Sequence, residues 1–281
     1  MGLFFNRRNR KTKEQIRTQR IDKSVLAQIM AYAEKLDGLK QSSDIRIAFA
    51  GESDRKKAGH ATGCAPYFLL IFAEDEKEGA RIGDGRRYLK DQENRYLNSG
   101  YVAGQLVNYL QFLGIPAAVW KNPDVWMQQK AKAGEHCMAA VIFGASSLGQ
   151  FSSGAEDSQE RPCIFQENRE GWAEEILAAH RRLWAKQRDI QVVCKENHIC
   201  LMSRPVSARK ADACRFEAGV VAAELMAAAE ELWIDLVAVD TEAPRCLLTL
   251  CRREDRVEVL RTVKKASPGT MRPVFKTLEQ I

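Results

Sequence analysis

RRNRKTK, residues 7–13, places Arg7, Arg8, Arg10, Lys11 and Lys13 within seven positions. Guanidinium and ammonium groups at that density can meet a polyanion as a loose arm, serve as a targeting tag, or close on a single phosphate. Seven residues do not choose among these, so the surrounding sequence must. Four histidines, His60, His136, His180 and His198, are scattered along the chain, and the sequence implies a Ser or Cys partner in a hydrolytic triad for none of them. Eight cysteines include no C-x-x-C pair, and none has a His at metal-ligand spacing. Most lie in apolar runs such as LLTLC and HICLM, where a thiol behaves as a small hydrophobe. The expectation is reduced, buried cysteines, no metal site and a cytoplasmic chain. GDGRR (83–87) has the glycines of a phosphate loop without a strand-to-helix setting, so no nucleotide loop is read there.

The composition limits the function classes. Lys and Arg exceed Asp and Glu to give a formal charge of +6 and a pI near 8.9. That is mildly basic, short of the dense basic face of a dedicated nucleic-acid binder. Such a binder would lose affinity steeply with salt. No apolar run approaches the roughly 20 residues of a membrane span, and MGLFF followed by NRRNRK reverses the order of an export signal. The expected partner is a small molecule, with no nucleic acid and no membrane.

The elements that must position any site follow from periodicity. DKSVLAQIMAYAEKL from Asp22 has apolar residues at helical spacing, with Asp22 as N-cap and Gly38 as stop. IRIAFA (45–50) and YFLLIFA (67–73) read as strands, and the polar stretch Glu74–Asn98 as a surface excursion. GYVAGQLVNYLQFL is an apolar helix, IPAAVW a short strand, PDVWMQQKAK a small helix with Pro123 at its start, and MAAVIFG (138–144) a buried strand. Ser/Gly/acid-rich residues 146–162 form a linker or crossing arm. Beyond it the order restarts: helix 171–184, a hairpin of IQVVC and HICLM, the long apolar helix FEAGVVAAELMAAAEEL, strands IDLVAVD and RCLLTLC, and the amphipathic REDRVEVLRTV. The five tryptophans, Trp120, Trp126, Trp172, Trp184 and Trp233, fall on apolar faces and read as core.

Laying Gly100–Ile115 on Gly219–Ile234 matches Gly100 with Gly219, Val102 with Val221, Ala103 with Ala222, Leu106 with Leu225, Leu113 with Leu232 and Ile115 with Ile234. The fold class expected is α+β, in two halves fused head to tail, residues 1–150 and 151–281, joined by an arm at 146–170 and packing their central helices together.

Three stretches resemble the flavin-dependent nitroreductases, and specifically a fused, internally duplicated branch in which one polypeptide mimics the family homodimer. RRNRKTK before a helix resembles the N-terminal basic motif. CAPYFLLIF and then LNSGYVAGQLVNYLQFLGI resemble the A-P, strand and central-helix signature. FEAGVVAAELMAAAEELWIDLVAV resembles the second central helix and strand. The resemblance implies a nitroreductase-like fold of antiparallel-rich sheets flanked by helices, FMN at the junction of the halves, hydride from NAD(P)H, and delivery to nitroaromatic, quinone or flavin-like acceptors. No side chain need act as catalyst, because the protein orients the reacting groups.

On this pattern Arg7 and Asn9 face the phosphate, Arg8 belongs to the same cofactor-binding set, and Lys11 reaches the pyrimidine edge of the ring. Arg161, before Pro162, returns to the phosphate, while Gly114 and Ile115 bring backbone toward the ring. Asn9 stands where Ser is usual and Lys13 where an aromatic is typical. The larger departure is HRRLWAKQRDIQ (180–191), where the family carries Ser, Asn and Gln toward the flavin; only Gln187 remains. Each donor left unmade costs something like 1–3 kcal/mol. A non-catalytic protein holding a flavin or another anionic small molecule is therefore the alternative expectation. The intramolecular pseudo-dimer leaves open a further homodimer.

Overall fold

The computed structural model describes residues 20–39, 45–55, 65–74, 85–144, 163–165, 171–179, 190–195, 197–203, 208–239 and 245–265. The elements run α1 (Lys23–Ala33), β1 (Ile45–Ala50), α2 (Glu52–Arg55), β2 (Tyr67–Glu74), α3 (Gly85–Phe112), β3 (Ala117–Trp120), α4 (Val125–Gln128) and β4 (Glu135–Phe143). There follow β5 (Cys163–Phe165), α5 (Gly171–Ala179), β6 (Ile190–Lys195), β7 (His198–Ser203), α6 (Ala208–Glu231), β8 (Leu236–Val239), β9 (Cys246–Arg252) and α7 (Arg256–Lys265). The fold is α+β, with antiparallel-rich sheets and flanking helices.

The first sheet has the order β1-β2-β4-β3 and is antiparallel throughout. The second has the order β5-β6-β7-β9-β8, antiparallel except for the parallel pair β5–β6. Without β5 the two orders correspond strand for strand, and so does an irregularity. Register shifts between Ile71 and Phe72 where β2 meets β4, and between Leu201 and Met202 where β7 meets β9. Leu69, Ile71, Val141 and Phe143 turn one face of the first sheet onto α1 and α3. Val192, Leu201, Leu248 and Leu250 turn one face of the second onto α5 and α6. Each core also takes residues from the other long helix: Leu97 and Tyr101 of α3 lie in the second, and Phe216 of α6 in the first.

The long helices meet where side chains vanish. A methyl group at Gly100 would collide with the carbonyl oxygen of Phe216, and one at Gly219 with the carbonyl oxygen of Leu97. In the sequence alignment Leu97 corresponds to Phe216, so the two collisions are reciprocal. Gly104 faces its own counterpart Ala223, with a β-carbon position 2.7 Å from the Ala223 methyl. Asn108 Nδ2 donates to the Ala223 carbonyl at 3.3 Å across this seam.

Several expectations need correction. α3 begins at Gly85, so its first turns replace much of the surface excursion read at 74–98. Within that stretch Arg95 Nη1 donates to the Glu74 carbonyl, and Glu93 forms an ion pair with Arg215 of α6. α6 likewise starts earlier than the apolar run suggests, at Ala208. Asp124 is the N-cap of α4 through its backbone carbonyl alone, with no capping bond from its side chain, and the helix starts at Val125, not at Pro123. Asp22 is the N-cap of α1 in backbone terms, its carbonyl accepting from Leu26 N at 2.9 Å, but its side chain makes no capping bond. α1 ends at Ala33, and Gly38 serves a different need: a β-carbon there would sit 2.9 Å from the buried Asn98 side chain. Trp126 and Trp172 are core and Trp120 is half-buried, but Trp233 is 97% exposed; Trp184 lies outside the described residues.

Candidate functional site

β-register brings three chain ends to one edge of the first sheet. Phe143 pairs with both Tyr67 and Ala117, so the start of β2, the start of β3 and the end of β4 lie side by side. Pro66, Pro116 and Gly144 therefore converge. Gly144 takes φ +84°, its N–H donates to the Pro116 carbonyl at 3.1 Å, and a β-carbon there would approach Tyr67 to 2.9 Å and Pro66 to 3.1 Å. Only glycine meets both demands. Tyr67 stacks between Phe49 and Phe143, with centroids 6.2 and 5.4 Å away. Its hydroxyl accepts from the backbone N–H of Ile21 at 3.4 Å. The segment arriving from the basic run thus joins the described fold at this edge. The sequence signal for Tyr67 is its place after Ala-Pro at a strand start in CAPYFLLIF, and the family resemblance assigns it no role.

α3 ends at the same edge. Gly114 has φ +71°, its N–H donates to the Gln111 carbonyl at 2.9 Å, and the Ile115 N–H donates to Leu110 at 2.8 Å. These two bonds make a Schellman cap. The cap accounts for Gly114, and it spends the N–H groups that the family resemblance directs at a flavin ring. Gly114 and Ile115 therefore offer a ring no free N–H donor. Among the described residues, and apart from its own chain neighbours, no atom lies within 4 Å of a β-carbon built at Gly114. Of the predicted site residues, then, the structure places Gly114 and Ile115 at the edge. Arg7, Arg8, Asn9, Lys11, Arg161 and Gln187 lie outside the described residues.

The nearby ionisable groups do not form an acid–base pair. Tyr32 of α1 stacks on Tyr109 of α3 at 3.8 Å, with Tyr101 and Glu230 in the same electrostatic neighbourhood. Burial, reinforced by Glu230 and Tyr32, pushes the Tyr101 hydroxyl up to about 12, and burial with Glu230 raises Tyr32 as well. Both phenols stay protonated at neutral pH. Farther along the sheet, Arg46 clamps Glu135 through Nε at 2.7 Å and Nη2 at 2.5 Å, over the Phe72 ring. That bond holds the Glu135 carboxyl down to about 2. His198 is buried, bonded through Nδ1 to Asn197 at 2.8 Å, and burial with Lys195 nearby lowers it to about 4. Among the described residues no group of His, Cys, Asp and Glu is arranged to hold a metal, and no helix is long and apolar enough to cross a membrane.

No family model matches the chain, and no curated protein matches it. Among solved structures it is similar to a Thermotoga maritima protein described as a "putative nitroreductase". The two share 13% identity over 83% of this chain and 84% of that one, with a TM-score of 0.42. So loose a superposition adds nothing to the fold class, which rests on the two sheets themselves.

Proposed function

We propose that this chain is a flavin-dependent oxidoreductase in which two copies of one sheet-and-helix unit act as a pseudo-dimer. FMN would bind at the open edge of the first sheet and NAD(P)H would be the electron donor. The observation that carries the reading is the bond from Ile21 N to Tyr67, which fastens the chain behind the basic run to the start of β2, at the same end of the sheet as the Gly114 turn before β3. From there Arg7, Arg8 and Asn9 would meet the phosphate, Lys11 the pyrimidine edge of the ring, Arg161 the phosphate again, and Gln187 the ring from the second unit. Guanidinium groups suit the phosphate because they give bidentate, charge-assisted bonds. A bound flavin supplies hydride acceptance and donation; the chain's own part is to bind, orient and set charge beside the ring. Electron-poor acceptors such as nitroaromatics or quinones fit that chemistry.

The visible absorption of the purified full-length protein, followed by titration with FMN, tests the proposal. A bound flavin spectrum, weakened about 10- to 100-fold in affinity by Arg7→Ala, is expected. A colourless protein with no spectral shift on titration would refute it. A second reading is favoured by the spent N–H groups of Gly114 and Ile115 and by the missing Ser and Asn in 180–191. On that reading the scaffold holds a flavin or another anionic small molecule without turnover. Prompt bleaching of bound flavin by NAD(P)H would exclude it.

A further inference from the structure

The outer face of the second sheet carries two thiols that the proposed function does not use. Cys200 of β7 pairs in register with Thr249 of β9, and Cys246 pairs with Met202, across the point where the register shifts. The shift leaves Leu247 outside the register and sets Cys246 diagonal to Cys200. Both sulfurs converge on one hydroxyl: Cys246 Sγ lies 3.5 Å and Cys200 Sγ 3.8 Å from Thr249 Oγ1. Cys246 is half-buried, whereas Cys200 and Thr249 are fully enclosed.

The first sheet provides a control. Its corresponding shift holds Cys137, whose thiol donates to the Ala139 carbonyl at 3.7 Å just as Cys246 donates to Leu248 at 3.5 Å. Opposite it, Leu70 and Ala140 stand at the places of Cys200 and Thr249. The same backbone irregularity thus carries a lone thiol in one sheet and a thiol–hydroxyl–thiol group in the other.

We infer that Cys200 and Cys246 form a reversible dithiol–disulfide site, oxidised by low-molecular-weight disulfides. Cys246 is the outer thiol, and as thiolate it attacks one sulfur of the oxidant. That bond breaks, a mixed disulfide forms on Cys246, and one small thiol leaves. Cys200 then loses its proton through Thr249 Oγ1 and attacks Cys246 Sγ, expelling the second small thiol. Two protein thiols are oxidised to one disulfide, the oxidant is reduced to two thiols, and both protons end on those products. The order of attack follows from the surroundings, because the hydrogen bond to Cys246 and burial raise the Cys200 thiol well above its usual range. Thr249 is a positioning residue that touches both sulfurs.

The full-length protein, incubated with oxidised glutathione, alkylated and mapped by non-reducing peptide mass analysis, tests this. A peptide pair joined between Cys200 and Cys246 is expected, short of two hydrogens and reopened by dithiothreitol. Cys200→Ser should instead accumulate glutathione on Cys246, and Thr249→Val should slow closure and move its pH dependence upward. A glutathione adduct that persists on Cys246 of the unaltered chain, a link from Cys246 to another cysteine, or Cys246 left unmodified would each overturn the inference.

Discussion

The two sheets share their strand order and their register shift, yet differ where each long helix runs into its third strand. α3 leaves through Gly114, and α6 leaves through Trp233 at φ +60°. Both use the same cap: Trp233 N donates to Glu230 at 3.1 Å and Ile234 N to Ala229 at 2.8 Å, matching the bonds of Gly114 and Ile115. The closing bond to the neighbouring strand also corresponds, with Arg253 N on the Asp235 carbonyl at 2.9 Å where Gly144 N meets Pro116. The side chains diverge. The first edge has two glycines, two prolines and open backbone, while the second has an exposed indole and an ion pair between Arg253 and Asp235 at 2.5 Å. A cap is a backbone solution, so it survives where its surface has changed.

That comparison can be broken at the helix crossing first. Gly100→Ala and Gly219→Ala each push a methyl into the opposite helix's backbone, which cannot rotate away, and each should cost about 3 kcal/mol or more in denaturant unfolding. If the crossing is reciprocal, the two losses will be similar and the double variant less than additive. A large effect at one position alone would show that the halves are not packed as equivalents.

Acid separates the sheets next. His198 in the second sheet is held below its unfolded value of about 6.5, so the unfolded chain takes up a proton that the folded one refuses. Its contribution is present above that value and lost as pH falls toward about 4. Glu135 in the first sheet is held below the ordinary carboxylate value, so its contribution is lost only as pH falls from there toward about 2. Hydrogen exchange across this range should therefore show β7 loosening before β4. Arg46→Ala should remove the lower window and leave the upper one; loss of both together would contradict the assignment.

The smallest effect is at the caps. Trp233→Gly relieves a left-handed backbone strain of about 1–2 kcal/mol, partly offset by glycine's greater freedom when unfolded, for a net gain of about 1 kcal/mol. Gly114→Ala should lose about 1 kcal/mol for the converse reason. Thermal unfolding of both variants measures the difference. If Trp233→Gly destabilises instead, the exposed indole is making contacts that offset its strain.

Much of the fold could be read from the sequence, and the failures have identifiable causes. Strands β2, β4 and β9 were plain because both faces are covered, giving continuous apolar runs. The first turns of α3 are not legible because a polar stretch without apolar periodicity looks locally like a loop. Gly38 was assigned to a helix end because its real neighbour, Asn98, is sixty residues away. Trp233 was assigned to the core because apolar type predicts burial only on average. For the candidate site, the sequence pointed to Gly114 and Ile115 and missed Tyr67. It also could not reveal that the N–H groups at 114 and 115 are already spent, which depends on how the helix ends in three dimensions.

Periodicity and internal likeness alone determined the element types, the repeat of Gly100–Ile115 in Gly219–Ile234, and a basic segment ahead of the first helix. These are local properties, because side-chain spacing along one chain records which face must be dry. Only the tertiary structure decided that the paired glycines exist to let two backbones touch. It alone showed that Ile21 is fastened to Tyr67 at the open edge, and that Cys200 and Cys246 share one hydroxyl. Those facts depend on which distant residues become neighbours, and sheet register and helix crossing set that.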